Sequence, residues 1–184
     1  MKSYKNLLSI AAVVFSLTAH AKHHGSGNNN GGGNQQPPPP STSNGAVPEC
    51  MDKGAALNVD NAEVLKMETT TANQFLSRGH VQGTVEQMFP DATGHRHFSL
   101  KIGPNPGDHI EIIYNLSFGE MPVKVGDNVE ACGDYITSNA PSGGYKASPD
   151  GALLHWVHKS TSSHDQGFVI VNGQLYGQGS GSGN

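Results

Sequence analysis

Three histidines and the only tryptophan of the chain lie close together near its carboxyl end. His155, Trp156 and His158 fall within one short segment, and His164 follows after five further residues. Imidazole is the side chain most often used for metal ligation and for proton transfer near neutral pH. The cluster therefore predicts a binding or catalytic site, although its spacing matches none of the strong zinc signatures.

A second pair of histidines lies in a segment whose apolar residues alternate. Successive side chains of a strand point to opposite faces, so His95 and His97 share the face opposite Phe98. His155 and His158 are three residues apart and would point to opposite faces of a regular strand. They converge only if that strand bulges or ends near residue 157.

The candidate site is a set of histidines that binds a ligand or a divalent metal such as zinc. Its members are His95, His155, His158 and His164, with support from His97, Asn115, Trp156 and Asp165. A zinc site needs three or four ligands, completed by a carboxylate or water, and Glu111 and Asp165 are available.

Two other interpretations of the histidines stay open. A metal-free catalytic site uses one histidine as a general base, oriented by Asp165 or Asp134. Alternatively, the histidines line a polar rim and form hydrogen bonds with the loop backbone. Trp156 alternates onto the same face as Leu154, which predicts a core residue, with an aromatic ligand platform as the alternative.

Alternation with a period of two begins at His80 and predicts a mainly β fold. The predicted strands cover residues 81–89, 98–102, 110–114, 129–136 and 153–158, with a hairpin over 168–176. Short strands with a Gly126–Asp127 turn favour a small OB-like Greek-key barrel. A β-sandwich is the alternative, because alternation does not distinguish a closed sheet from two stacked sheets.

One α-helix is predicted to precede the barrel. Asp60 is expected to cap it, and Glu63 completes a pattern resembling a capping box. Apolar residues from Ala62 to Leu76 fall near helical spacing, and Gly79 is predicted to end the helix.

The ends of the chain differ from the barrel in composition. A basic start, a short apolar run and the sequence Ala19–His20–Ala21 predict a cleaved signal peptide and export to the periplasm or the medium. The predicted segments are a signal peptide (1–21), a disordered low-complexity linker (22–46), a helical segment (47–78), the barrel (79–177) and a flexible Gly/Ser tail (178–184).

The charge of the exported chain argues against one class of partner. Cleavage removes Lys2 and Lys5, which leaves nine basic against fifteen acidic residues and a net charge of −6 with neutral histidine. Proteins that bind nucleic acid depend on clustered Lys and Arg, so this partner is disfavoured. No membrane span is expected after cleavage.

The cysteine count predicts one disulfide. Cys50 and Cys132 are the only cysteines, and an even count in an oxidising compartment indicates a bridge. Closing a loop of this length is expected to stabilise the fold by about 4 kcal/mol.

Motifs spread over the β region resemble those of a known bacterial family. They are Gly83-Thr84-Val85, His95-x-His97-Phe98, Asn115 after an Ile-rich strand, Val125-Gly126-Asp127-x-Val129, Gly133-x-Tyr135, His155-Trp156-x-His158 and His164-x-x-Gly167-Phe168. This order is similar to that of the bacterial domain-of-unknown-function family 3465, whose members are small, often exported proteins with no established activity. The resemblance covers residues 79–177.

Several positions depart from the family pattern. His97 stands where the family has Arg, Tyr114 replaces a His, Lys159–Ser160 replaces His-Asp, and Ser163 replaces an Arg. If the family histidines form a site, the resemblance implies that this chain keeps His95, His155, His158 and His164 without part of their support. The expected function is a binding module. The alternatives are a secreted hydrolase of the phosphodiesterase or nuclease kind and a structural envelope protein.

Overall fold

The computed structural model describes residues 46–161 and 164–179. The predicted signal peptide and nearly all of the predicted linker lie outside these residues, as does the tail beyond Gly179. The strands and the helix of the described part are β1 Met51–Asp52, β2 Ala55–Ala56, α1 Asn61–Thr70, β3 Leu76–Met88, β4 His95–Lys101, β5 His109–Asn115, β6 Asn128–Thr137, β7 Ala152–His155, β8 Phe168–Val171 and β9 Gln174–Tyr176, with a 3₁₀-helix at Leu116–Phe118 between β5 and β6.

Five strands close into a barrel. They neighbour one another in the order β3-β4-β5-β7-β6, and β3 also pairs with β6 to complete the ring. The β5–β7 pair is parallel and the other pairs of the ring are antiparallel. The small OB-like barrel preceded by one helix is therefore confirmed, and the β-sandwich alternative is wrong. The hairpin of β8 and β9 extends the sheet beyond β6.

Strand β3 belongs to both sides of the closure. Its first part pairs with β6, its last part pairs with β4, and the register shifts between Val85 and Gln87. Gly83 lies where the two pairings meet, and a Cβ atom there would lie 2.9 Å from the carbonyl carbon of Lys101 and closer still to its oxygen. This position therefore requires glycine, because any side chain would separate β3 from β4.

Alternating side chains of the barrel strands fill its interior. The buried residues include Val81, Val85, Phe98, Leu100, Ile110, Ile112, Tyr135 and Leu154, each no more than 1 % exposed. His95 and His97 are only partly buried and alternate with these residues, so they lie on the outer face of β4. The prediction that the two histidines share the face opposite Phe98 is confirmed.

Helix α1 is shorter than predicted. The Asp60 carboxylate accepts a hydrogen bond from the Glu63 N–H at 2.9 Å, which confirms the cap. The helix ends at Thr70 rather than near Gly79, and β3 begins at Leu76. The hydroxyls of Thr69, Thr70 and Thr71 bond back to carbonyls of the last turn, which weakens continued helix. Phe75 and Leu76 are exposed and do not extend a buried helical face.

The disulfide prediction is confirmed. Cys50 and Cys132 are bonded, with their Cα atoms 5.7 Å apart, and they tie the segment before β1 to strand β6. The buried Arg78 guanidinium lies beside this bridge and donates to the Met51 carbonyl, to the Asp134 carboxylate at 2.5 Å and to the Gln166 carbonyl.

Gln178, the first residue of the predicted Gly/Ser tail, has hydrogen-bond partners in the barrel. Gln178 is held in place because its amide accepts from Gln166 and donates to the Gly167 carbonyl at 3.0 Å. Gly177 accepts from the Lys159 N–H. Among the described residues, helix α1 and the 3₁₀-helix fall short of the length and apolar character that a membrane crossing requires.

Candidate functional site

The first part of the candidate site is built on β4. His95 begins the strand directly after the turn at Gly94, and its Nδ1 lies 2.9 Å from the Thr93 carbonyl. A carbonyl oxygen only accepts, so Nδ1 carries the proton and the Nε2 lone pair is free. His97 lies two residues on, with ring centres 6.4 Å apart. Its Nδ1 lies 2.8 Å from the buried Glu111 carboxylate on β5.

The second part lies at the end of β7. This strand ends at His155, and Trp156 has a φ of +49°. The left-handed backbone turns the chain out of the sheet, so His155 and His158 no longer follow strand alternation. The predicted strand over 153–158 is therefore too long. The strand must end for His155 and His158 to converge, and it does so at His155, two residues earlier than expected.

Trp156 is not the core residue that alternation predicted. It is partly exposed and packs between two histidines, with ring centres 4.2 Å from His155 and 6.2 Å from His164. The physical reason is the left-handed turn, which moves the indole out of alternation with the buried Leu154.

The third part is the segment that carries His158 and His164. The Gly167 N–H donates to the His158 carbonyl at 2.8 Å, which brings the two ends of this segment together. The His158 ring stacks on Phe118 with centres 3.8 Å apart. Its Nδ1 lies 2.9 Å from the Lys159 carbonyl, and Nδ1 of His164 lies 2.8 Å from the Asp165 carbonyl.

The structure brings all four candidate histidines into one cluster. The rings of His95 and His155 have centres 5.5 Å apart, and those of His158 and His164 are 4.7 Å apart. Trp156 lies between the two pairs and contacts one ring of each. The term imidazole cluster is used below for His95, His155, His158 and His164.

Burial and the neighbouring imidazoles lower the pKa of two members of the cluster, His155 and His158. Burial first, and then the neighbouring imidazoles with His95 foremost, lower the pKa of His155 to about 4. Burial also lowers the pKa of His158. The hydrogen bond to the Lys159 carbonyl raises this pKa, whereas the neighbouring His164 and His95 lower it further. Both rings are therefore neutral near pH 7 and have a lone pair to offer.

The predicted supporting residues divide into two groups. His97 and Asn115 have local partners: Glu111 holds His97, and the Asn115 Oδ1 accepts from the Ser117 N–H at 2.9 Å. Asp165 is exposed and contributes its carbonyl to His164.

Asp134, considered for orienting a histidine, has a different partner among the described residues. Its carboxylate binds Arg78, even though Asp134 lies opposite His155 in the β6–β7 register. Sequence reasoning also missed Phe118, the stacking partner of His158, because it lies in a 3₁₀-helix without strand or helix periodicity.

A cavity of about 350 Å³ opens beside the imidazole cluster. Its lining residues are Thr93, Gly94, His95, Asn115, Leu116, Ser117, His155, Trp156 and His158. No group of three or more His, Cys, Asp or Glu side chains in the described part of the chain has an arrangement that holds a metal ion as it stands. The Nε2 atoms of His97 and His164 are buried and have no hydrogen-bond partner.

Comparison with known proteins adds no assignment. No protein-family model matches the chain, and no curated protein is significantly similar to it. The resemblance to family 3465 stays a prediction that rests on the quoted motifs.

Proposed function

We propose that this protein is an exported binding module whose imidazole cluster takes up one divalent transition-metal ion. The ligands are the Nε2 atoms of His95, His155, His158 and His164, and zinc is the first candidate. Export follows from the predicted signal peptide, and a disulfide is compatible with an oxidising compartment.

One observation carries the proposal: the same ring nitrogen is already occupied in three members of the cluster. Nδ1 of His95, His158 and His164 each lies within 2.9 Å of a backbone carbonyl. Metal-binding histidines are held in this way, since a donated N–H fixes the tautomer and presents the other nitrogen to the ion. Burial of the unpartnered His164 Nε2 costs free energy that ligation would offset.

Within each of the two pairs, the spacing of the rings is close to what two ligands of one ion require. With a metal–nitrogen distance of about 2.1 Å, two imidazoles on one tetrahedral ion have ring centres about 5 Å apart. The two pairs of the cluster have centres 5.5 Å and 4.7 Å apart. Because the Trp156 indole lies between the two pairs, we expect the indole to move aside and the imidazole rings to rotate when the metal binds.

The donor chemistry selects the class of metal. Imidazole nitrogen suits zinc, copper and nickel, whereas calcium and magnesium need oxygen ligands. No carboxylate is hydrogen-bonded to a member of the cluster within the described residues. A hard cation would therefore be bound poorly.

Calorimetric titration of tag-free, metal-free protein with Zn²⁺ tests the proposal. We expect one ion per chain and a loss of at least about tenfold in affinity, or about 1.4 kcal/mol, in His155→Ala and in His164→Ala. His109→Ala is the matched control, because His109 pairs with Glu86 outside the cluster. Thermal unfolding of each variant shows whether it is folded. Unchanged affinity in folded His155→Ala and His164→Ala would overturn the proposal.

A secreted hydrolase is the second candidate, favoured by the cavity beside the cluster. A metal on three histidines keeps a fourth position for water, which it activates near neutral pH. Release of nitrophenol from a bis-nitrophenyl phosphodiester by the zinc-loaded protein, abolished in His158→Ala, supports this candidate. Absence of turnover in a zinc-loaded, folded protein contradicts the phosphodiesterase assignment.

A further inference from the structure

A single buried arginine connects three parts of the chain next to the imidazole cluster. The Arg78 side chain, on β3, is only 4 % exposed. Its Nε donates to the Met51 carbonyl at 3.1 Å, one terminal nitrogen donates to the Asp134 carboxylate at 2.5 Å, and the other donates to the Gln166 carbonyl. The guanidinium therefore joins strand β1, strand β6 and the segment that carries His164.

We propose that Arg78 positions the imidazole cluster by holding the Gln166 carbonyl. The inference concerns the metal-free rings, so it goes beyond the proposed function and does not depend on a metal. Gln166 lies two residues after His164. It directly precedes Gly167, whose N–H donates to the His158 carbonyl and closes the segment. Fixing the Gln166 peptide therefore fixes both the closure and the ring of His164.

The side chain of Gln166 adds local contacts that the Arg78 contact ties to the barrel. Its Oε1 accepts from the Ser160 N–H at 3.2 Å, and its Nε2 donates to the Gln178 amide oxygen at 2.6 Å. Ser160 and Gln178 both lie outside strands and helices. Arg78 lies on the longest strand of the described part, β3, so its bond to the Gln166 carbonyl gives the segment a fixed point on the barrel.

The shape of the guanidinium suits this role. A guanidinium presents five N–H donors in a planar, rigid fork, whereas the ammonium of lysine is one nitrogen on a flexible stem. A buried ion pair adds little net stability compared with apolar side chains of similar volume, so the contribution of Arg78 is a defined geometry. Arg78→Lys keeps a positive charge beside Asp134, but one nitrogen does not reach acceptors that lie around a fork of three.

Two measurements on metal-free protein with an intact disulfide test the inference. Trp156 is the only tryptophan of the chain, and its indole packs between the rings of His155 and His164. Its fluorescence therefore reports on the cluster. In Arg78→Lys we expect a shift of this emission and of the His164 ring resonances. Hydrogen exchange of the Gly167 N–H should become about tenfold faster, because the segment opens more often.

Two controls separate positioning from a general effect on stability. Arg96→Lys is the matched variant, because Arg96 also binds a carboxylate and a backbone carbonyl, those of Asp91 and Met121. It should leave the Trp156 emission and the segment unchanged. The Val85 N–H, which donates to a backbone carbonyl at 2.9 Å on another part of the barrel, is the reference amide. It should exchange at the wild-type rate in both variants.

The outcomes decide the inference without reference to metal binding. Unchanged Trp156 emission and unchanged Gly167 exchange in folded Arg78→Lys would overturn it. Equal acceleration of the Gly167 and Val85 amides would also overturn it, since Arg78 would then stabilise the whole barrel. If Arg78→Lys does not fold, Asp134→Asn replaces it, because this change keeps the shape of the partner and removes the charge that holds the fork. The same criteria then apply. Failure of Zn²⁺ to bind contradicts the proposed function alone.

Discussion

The imidazole rings of His158 and His164 meet edge to face with their centres 4.7 Å apart. The contact depends on a backbone closure, because the Gly167 N–H donates to the His158 carbonyl at 2.8 Å. A Cβ atom on Gly167 would lie 2.7 Å from the Cys132 carbonyl and 2.9 Å from the His158 nitrogen, and closer still to the Trp156 carbonyl. The absence of a side chain at Gly167 therefore allows the close approach of His158 and His164.

Gly167→Ala should consequently disturb both the fold and the site. We expect a loss of about 2 kcal/mol in the free energy of unfolding, since a side chain forced against backbone atoms displaces the segment. Zn²⁺ affinity should fall with it. Gly107→Ala is the matched control, because a Cβ atom there has no neighbour within 4 Å. Urea unfolding of both variants measures the difference, and equal stability would contradict the role given to Gly167.

The barrel could be predicted from the sequence because its signals are local and repeated. Apolar residues that fill the barrel recur at every second position, as do Phe98 and Leu100 on β4 and Ile110 and Ile112 on β5, and the turns contain glycine, as at Gly126 and Gly173, which have positive φ. The two-residue turn at Asn172–Gly173 marks the β8–β9 hairpin so clearly that its bounds were predicted correctly.

The site could be predicted only in part. Residue type selected the four histidines, but no local pattern shows that Trp156 adopts a left-handed φ of +49°. That one backbone angle ends β7 and moves the indole from the core to the cavity. It also means that His155 and His158 do not have to point to opposite faces of one strand. The predicted helix is longer than α1 because helix propensity does not show that the Thr71 hydroxyl bonds back to the Met67 carbonyl at the end of the helix.

Removal of the disulfide should destabilise the barrel strongly. The bridge between Cys50 and Cys132 spans 82 residues of sequence, so Cys50→Ala/Cys132→Ala is expected to lose about 4 kcal/mol on the chain-entropy account. Urea unfolding of the oxidised protein and of the double variant measures this loss. Wild-type protein unfolded in the presence of a reductant serves as the control and should resemble the variant. A difference below about 1 kcal/mol would show that the bridge does not constrain the unfolded chain.

The pH dependence of stability should contain a contribution from Glu68. Burial, followed by the charges of Asp150 and Asp108, raises the pKa of this carboxyl to about 7 from 4.5. A raised pKa means that the folded state holds the proton more tightly, so this contribution to stability is complete below about pH 4.5 and is lost as the pH rises to about 7.

Glu68→Gln should therefore be less sensitive to pH over that range and more stable than the wild type above it. Glu120→Gln, on an exposed side chain, is the control and should keep the wild-type profile. Thermal unfolding across the pH range provides the measurement. If stability changes with pH in the same way in the wild type and in Glu68→Gln, the pKa of Glu68 is not raised in the folded state.

Nitrogen NMR of the histidine rings tests most directly whether the imidazole cluster is built to hold a metal. In metal-free protein at about pH 7.5, His95, His158 and His164 should each carry the proton on Nδ1. An equimolar amount of Zn²⁺ should then shift their Nε2 resonances and leave that of His109 in place. Protonation of these rings on Nε2, or Nε2 resonances that do not respond to Zn²⁺, would contradict the account.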